Sequence, residues 1–226
     1  MIDLAKQAPG LVSLAKTAAV SLEKHGLAHE KAAVYLVLDH SGSMQRFYAN
    51  GSVQHLAEQA LGLSTNLDDD GTVPVIYFNH QVEEVEEARL DNYTGIIDAT
   101  HTRAGWGTTD YALAIEYIVK EFGHENAAPS LVIFQSDGEP DHPSLAEQAL
   151  REASHLPIFW AFIGFGNRID FLEGLDDLPG RAVDNASFFH ARDPRAVPDA
   201  DLYDGITAQY GQWLTAARAA GIIRNR

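Results

Sequence analysis

The sequence predicts an α/β fold, with a mainly parallel central sheet of about six strands flanked by helices. Three observations carry that expectation. The apolar runs Val34 to Leu38, Leu131 to Phe134 and Ile158 to Ile163 are continuous, as in strands covered on both faces. Between them lie segments whose apolar residues recur at helical spacing. Strand and helix alternate, which joins parallel neighbours through crossovers. At 226 residues the chain suits one large unit with a well-buried core.

The elements follow in order. Leu14, Ala15, Ala18 and Leu22 mark a helix that stops near Gly26, so residues 1–30 read as a helical extension packed on a domain spanning 31–226. Val34 to Leu38 is the first strand. Val53, Leu56, Ala57, Ala60, Leu61 and Leu63 trace a second amphipathic helix, closed by Asp68-Asp69-Asp70-Gly71. That acid triplet lacks the alternating ligand spacing of a calcium loop and reads as a solvated turn. Val75 to Phe78 is a strand that admits Pro74 only at its first residue or on an edge. Val82 to Val85, interleaved with glutamates, reads as a short exposed edge strand whose charges discourage pairing with another molecule. Tyr111 to Phe122 carries a wide apolar stripe, and Leu145, Ala149, Leu150 and Ala153 form a helix between the two later strands. A last strand near Ser187 to Phe189 precedes a terminal helix through Leu202, Ile206, Tyr210, Trp213 and Ala217.

Thirty-two acidic against 16 basic side chains leave a net charge of −16, which repels nucleic acid and anionic lipid and favours cations and basic surfaces. No apolar run approaches the roughly 20 residues of a membrane-spanning helix. The absence of cysteine excludes disulfides, thiolate metal sites and cysteine catalysis. Asp3 and the lack of a basic stretch followed by an apolar core argue against a secretory leader, making cytoplasmic residence the expectation.

The chemistry concentrates where strands end. Asp39-His40-Ser41-Gly42-Ser43 follows the first strand, Gly105 to Asp110 precedes the helix at Tyr111, and Gln135-Ser136-Asp137-Gly138 follows the strand at 131–134. In a doubly wound sheet such loops converge at one rim. A divalent ion there would take the hydroxyls of Ser41, Ser43 and Thr109, with Asp39 and Asp137 supplying charge directly or through water. All five are hard oxygen donors suited to magnesium, manganese or calcium. Taken singly, the same serines and threonine also read as strand terminators and helix caps.

In order and approximate spacing from Val34 to Gly138, Asp-x-Ser-Gly-Ser, a Gly-x-Thr segment before a helix and a later strand ending in Asp-Gly resemble the metal-ion-dependent adhesion site (MIDAS) of von Willebrand factor A (vWA) domains. The resemblance implies a Rossmann-like vWA fold. It makes Ser41, Ser43 and Thr109 inner ligands, with Asp39 and Asp137 ligating directly or through water. It implies magnesium, with calcium or manganese as alternatives, and a protein partner whose acidic side chain completes the coordination. Related proteins often show Gly-Gly-Thr where this chain has Gly107-Thr108-Thr109, and a register shifted by one would make Thr108 the ligand. His40 falls between ligand positions and reads as orienting or lining rather than ligating, since hard cations disfavour imidazole. The run Phe171 to Asn185 with Phe188-Phe189, and Leu14 to Leu22, are similar to the vWA proteins of bacterial tellurium-resistance and chemical-stress clusters, implying a protein-binding module of such a system. With no cysteine and only Met1 and Met44 as soft donors, direct chemistry on a metalloid is not expected.

Enzymatic readings fare worse. Ser41 or Ser43 as an acyl-transfer nucleophile would need a Gly-x-Ser-x-Gly elbow and a histidine base in triad order, and neither is present. Asp39 as a phosphoryl acceptor loosely resembles haloacid-dehalogenase-like phosphatases, but their second aspartate is Ser41 here. A magnesium-dependent phosphohydrolase using Asp39 and a metal-free structural scaffold stand as the competing readings. Gly164-Phe165-Gly166-Asn167-Arg168 lacks the third glycine of a dinucleotide loop and reads as a sharp turn. His25, His29, His55, His101 and His124 are scattered, which disfavours a zinc site, and Trp106 suits a partner groove or loop packing equally.

Overall fold

The computed structural model of the chain describes residues 3–68, 70–123, 128–167 and 169–224. Its sheet contains β1 (Ala33–Asp39), β2 (Thr72–Phe78), β3 (Val82–Arg89), β4 (Ser130–Ser136), β5 (Ile158–Phe165) and β6 (Ala186–Ala191), in the order β3-β2-β1-β4-β5-β6. β1 pairs in parallel with β2 and β4, β4 with β5, and β5 with β6, whereas β2 and β3 form an antiparallel hairpin. The helices are α1 (Leu4–Gln7), α2 (Val12–Lys24), α3 (Gln45–Ala49), α4 (Ser52–Leu67), α5 (Ile96–Thr100), α6 (Tyr111–Phe122), α7 (Pro143–Ala153), α8 (Asp170–Asp176), α9 (Asp199–Thr207) and α10 (Tyr210–Ala219). None is long and apolar enough to cross a membrane among the described residues.

Two cores sandwich the sheet, which explains the continuous apolar runs. Val34, Leu36 and Leu38 of β1 pack with α2, α4, α9 and α10, while Val37 lies in the opposite core with Ile115 of α6 and Leu150 of α7. Successive strand residues point to opposite faces, so burial on both leaves no polar phase in β1, β4 or β5. Strand order reverses between β1 and β4, and the carboxyl ends of these two strands flank the crevice where open α/β sheets hold ligands.

Several boundaries differ from the sequence expectations. Pro74 is the third residue of interior strand β2, tolerated because pairing with β1 starts only at Val75, opposite Leu36. β3 extends to Arg89 because one register with β2 holds from Val85 to Arg89, beyond a shift between Ile76 and Phe78, and Ala88 is buried beneath it. The terminal helix is two helices separated at Ala208 and Gln209, a break hidden because Leu202, Ile206, Tyr210, Trp213 and Ala217 all face one core. α1 lies ahead of the helix that the spacing predicts, and the Asp3 carboxylate caps it by accepting from the Lys6 N–H. In the acid triplet, Asp70 accepts from the Thr72 N–H at 2.9 Å, as a turn residue does. Asp69, His124, Arg168 and Met1 lie outside the described residues.

α2 crosses α4 at Gly62, where a Cβ would lie 2.9 Å from Leu14 Cβ and 3.4 Å from the Ala15 nitrogen. Gly62→Ala is expected to push α2 outward and cost about 1–3 kcal/mol, the usual range for overpacking. Urea unfolding checks it, and an unchanged midpoint would show that α2 carries no stabilising contact there.

Candidate metal centre

Asp39 ends β1 with its side chain fully buried. Its Oδ1 accepts from the Ser41 N–H at 2.7 Å and its Oδ2 from the Ser136 hydroxyl. The chain then turns, and the Ser41 and Ser43 hydroxyls stand 3.1 Å apart. The Ser43 hydroxyl donates to Asp137 Oδ1 at 2.6 Å, closing a chain of oxygens from β1 to the loop after β4. The Asp137 side chain is only 2% exposed. Asp39, Ser41, Ser43 and Asp137 therefore meet directly.

Thr109 joins them through the backbone of its loop. Ser41 and Gly107 form a parallel bridge, with Gly42 N–H donating to Gly107 O at 3.1 Å and Gly107 N–H to His40 O at 3.3 Å. The Thr109 N–H donates to Asp141 Oδ2 at 3.0 Å, and the Asp141 N–H returns to Thr109 O at 2.7 Å, tying this loop to the one after β4. The Tyr111 hydroxyl adds a bond to Gly138 O at 2.6 Å. Thr109 is buried and Thr108 exposed, which favours Thr109 as the inward donor of the pair. Asp110 caps α6 through the Leu113 N–H, so the capping role falls to the residue after Thr109.

His40 is buried beside this cluster and turned away from it. Its Nδ1 donates to Gly105 O at 2.8 Å, leaving Nε2 as an acceptor 3.2 Å from His101 Nδ1. Trp106 stacks on its ring with centroids 3.8 Å apart, yet keeps 40% of its own surface exposed. Burial, reinforced by His101, lowers the His40 pKa and keeps the ring neutral at physiological pH. His40 thus orients the loop ahead of Thr109, and Trp106 both packs on the loop and faces solvent.

Electrostatically, burial raises the Asp39 pKa to about 6, partly offset by hydrogen bonds from Ser136 and Ser41, with the Asp137 charge adding to the rise. A desolvated carboxylate beside a second buried one gains from a cation. No group of three or more His, Asp or Glu side chains is gathered to hold a metal among the described residues, so an ion here would depend on hydroxyl donors. Carboxylate and hydroxyl oxygens fit a hard divalent ion. Ser136, Asp141 and Arg46 carry no motif of their own; Ser136 and Asp141 flank the Asp137 loop, the one signal available for them. At Gly166 the backbone turns at φ +77°, a sharp turn as expected.

A six-stranded, mainly parallel sheet with oxygen donors at its switch point defines a vWA-type α/β domain. The chain belongs to the vWA-TerF-like family, described as the vWA found in the TerF C terminus, whose model matches residues 31–223. It is 30% identical over 218 residues to the uncharacterized protein YcbR of Bacillus subtilis (strain 168), covering 93% of this chain and 89% of that one. Among solved structures it is similar to a von Willebrand factor type A protein from Catenulispora acidiphila, with a TM-score of 0.56, 18% identity, and coverage of 80% of this chain and 42% of that one. It is also similar to the proximal thread matrix protein 1 of the mussel byssus with a zinc-occupied MIDAS motif, at TM-score 0.53 and 13% identity, covering 83% and 48%. The SpRpn10 VWA domain matches at TM-score 0.54 and 12% identity, covering 76% and 93%. The chain thus spans less than half the length of the first two of these structures, and at these identities they share its fold.

Proposed function

We propose that this chain is a divalent-ion-dependent protein-binding module, in which Asp39, Ser41, Ser43, Thr109 and Asp137 hold magnesium, or calcium or manganese, and the ion grips an acidic residue of a partner. The observation that carries this reading is the Ser43 to Asp137 hydrogen bond, which brings two buried carboxylates and two serine hydroxyls from distant segments together at the switch point. Neutral hydroxyls among the donors leave an ion electrophilic enough to accept an outside carboxylate. Family membership supports placement in a bacterial tellurium-resistance or stress-response system, working in the cytoplasm. The family match beginning at residue 31 supports reading 1–30 as an extension packed on the domain. We read the chain as a binder rather than an enzyme because the position of the second aspartate, the general acid a phosphoryl-transfer site of that kind needs, is Ser41 here.

Titration calorimetry with magnesium, manganese and calcium tests the site: one saturable event is expected, lost in Asp39→Ala. With magnesium, a pull-down from cell extract is expected to retain a protein that presents an acidic residue to the ion, and with chelator to release it. Absence of saturable binding to the folded protein would return the chain to a metal-free scaffold, and turnover of a generic phosphate ester abolished by Asp39→Asn would make it a phosphohydrolase.

A further inference from the structure

We infer that Arg46 is a specificity-determining residue of the binding rim, a fixed cation that weakens the hold on the metal and strengthens capture of a carboxylate ligand. The inference rests on the metal-dependent reading above and deepens it. Arg46 lies in α3, immediately after the serine loop, with Nη2 3.6 Å from Asp137 Oδ2. Its side chain is 61% exposed while that of Asp137 is 2% exposed, so the guanidinium covers the carboxylate and still faces solvent.

A ring contact and a close approach of the loop after β5 position it. The guanidinium carbon sits 4.5 Å from the centroid of the Phe47 ring, a cation–π arrangement. Phe47 is itself buried and packs on Phe165 at the end of β5, with centroids 5.3 Å apart. At Gly166 a Cβ would lie 2.9 Å from Arg46 Nη2, so the absence of a side chain there lets the guanidinium lie close against the neighbouring loop. In a chain of net charge −16 an approaching acidic partner meets repulsion over most of the surface, and a pinned arginine beside the ion site offsets it locally.

The chemistry has opposite signs for the two ligands. A positive charge next to Asp137 competes with a divalent ion for that carboxylate. The same charge attracts an incoming carboxylate, and a guanidinium fork can engage an oxygen that the ion leaves free. Exposed charge pairs contribute up to about 1 kcal/mol, roughly fivefold in affinity.

The experiment uses the full chain, manganese alone by calorimetry, and trifluoroacetate on the manganese-loaded protein by fluorine relaxation. Arg46→Gln is expected to bind manganese about fivefold more tightly and trifluoroacetate about fivefold more weakly. Arg46→Lys, which keeps the charge and loses the fork, should bind manganese like the parent and trifluoroacetate less well. An unchanged melting temperature for both variants is expected, since the side chain is exposed. Parent-like values for Arg46→Gln, or both affinities shifting in the same direction, would overturn the role of Arg46 while leaving the metal site standing. A parent protein that binds no manganese would overturn the metal site and this inference together.

Discussion

Asp39→Asn is expected to cost at least ~100-fold in divalent-ion affinity, since even groups behind a ligand typically contribute 10–100-fold, while stabilising the protein in chelator at pH 7. The second effect follows from linkage. The buried Asp39 carboxyl has its pKa raised from 3.8 to about 6, first by desolvation. Below about pH 4 folded and unfolded chains both carry the proton and no penalty arises. As pH rises, the unfolded carboxyl ionises first, so stability falls until the folded group ionises near pH 6. Above that the full cost is present, about two units at 1.36 kcal/mol each, or about 3 kcal/mol. For a chain of this size that is roughly 6–12 °C in melting temperature. A bound cation cancels the cost by neutralising the charge where it sits. Calorimetric melting at pH 5 and pH 7 is therefore expected to show a drop with pH in chelator, a smaller one with magnesium, and neither contribution in Asp39→Asn. Equal pH slopes for parent and variant in chelator would locate the buried charge elsewhere.

The residues proposed for this site are legible in the sequence because each sits near a strand end or helix start that local pattern marks. Asp39 follows an apolar run, Asp110 and Tyr111 open an apolar stripe, and Asp137 closes another run. The doubly wound order, once inferred, required the loops to meet. What pattern did not mark are the groups whose roles exist only after folding. Ser136 reads as part of the loop before Asp137, whereas it is the last residue of β4, and nothing in the pattern marks that its hydroxyl donates to Asp39. Arg46 is one of 16 basic residues, and its approach to Asp137 depends on the fold bringing α3 beside the loop after β4. Likewise Asn79, just beyond β2, carries no motif, yet its amide donates to Gly105 O at 2.7 Å and to Glu83 Oε1 at 2.8 Å and so fixes the threonine loop.

That anchoring makes Gly107 the position where the site is most exposed to strain. Gly107→Ala is expected to weaken ion binding by about tenfold without removing a donor. A Cβ there would overlap His80 Nδ1 and lie 2.8 Å from Asn79 Cγ and 2.9 Å from Asn79 Cβ. Asn79 has nowhere to retreat: besides its amide bonds, its N–H donates to Gln81 O at 2.9 Å and its carbonyl accepts from the Asp110 N–H at 2.8 Å. The strain must move the ribbon from Gly107 to Thr109, and that ribbon is bridged to Ser41. Overpacking of this kind costs about 1–3 kcal/mol. Expressed at the ion site, 1.4 kcal/mol of it is the tenfold loss. Manganese titration alongside circular dichroism separates this from unfolding: native spectra with weakened binding are expected. Lower stability with parent-like manganese affinity would mean that the threonine loop takes no part in holding the ion, leaving Thr109 a structural residue and the remaining four donors to do the work.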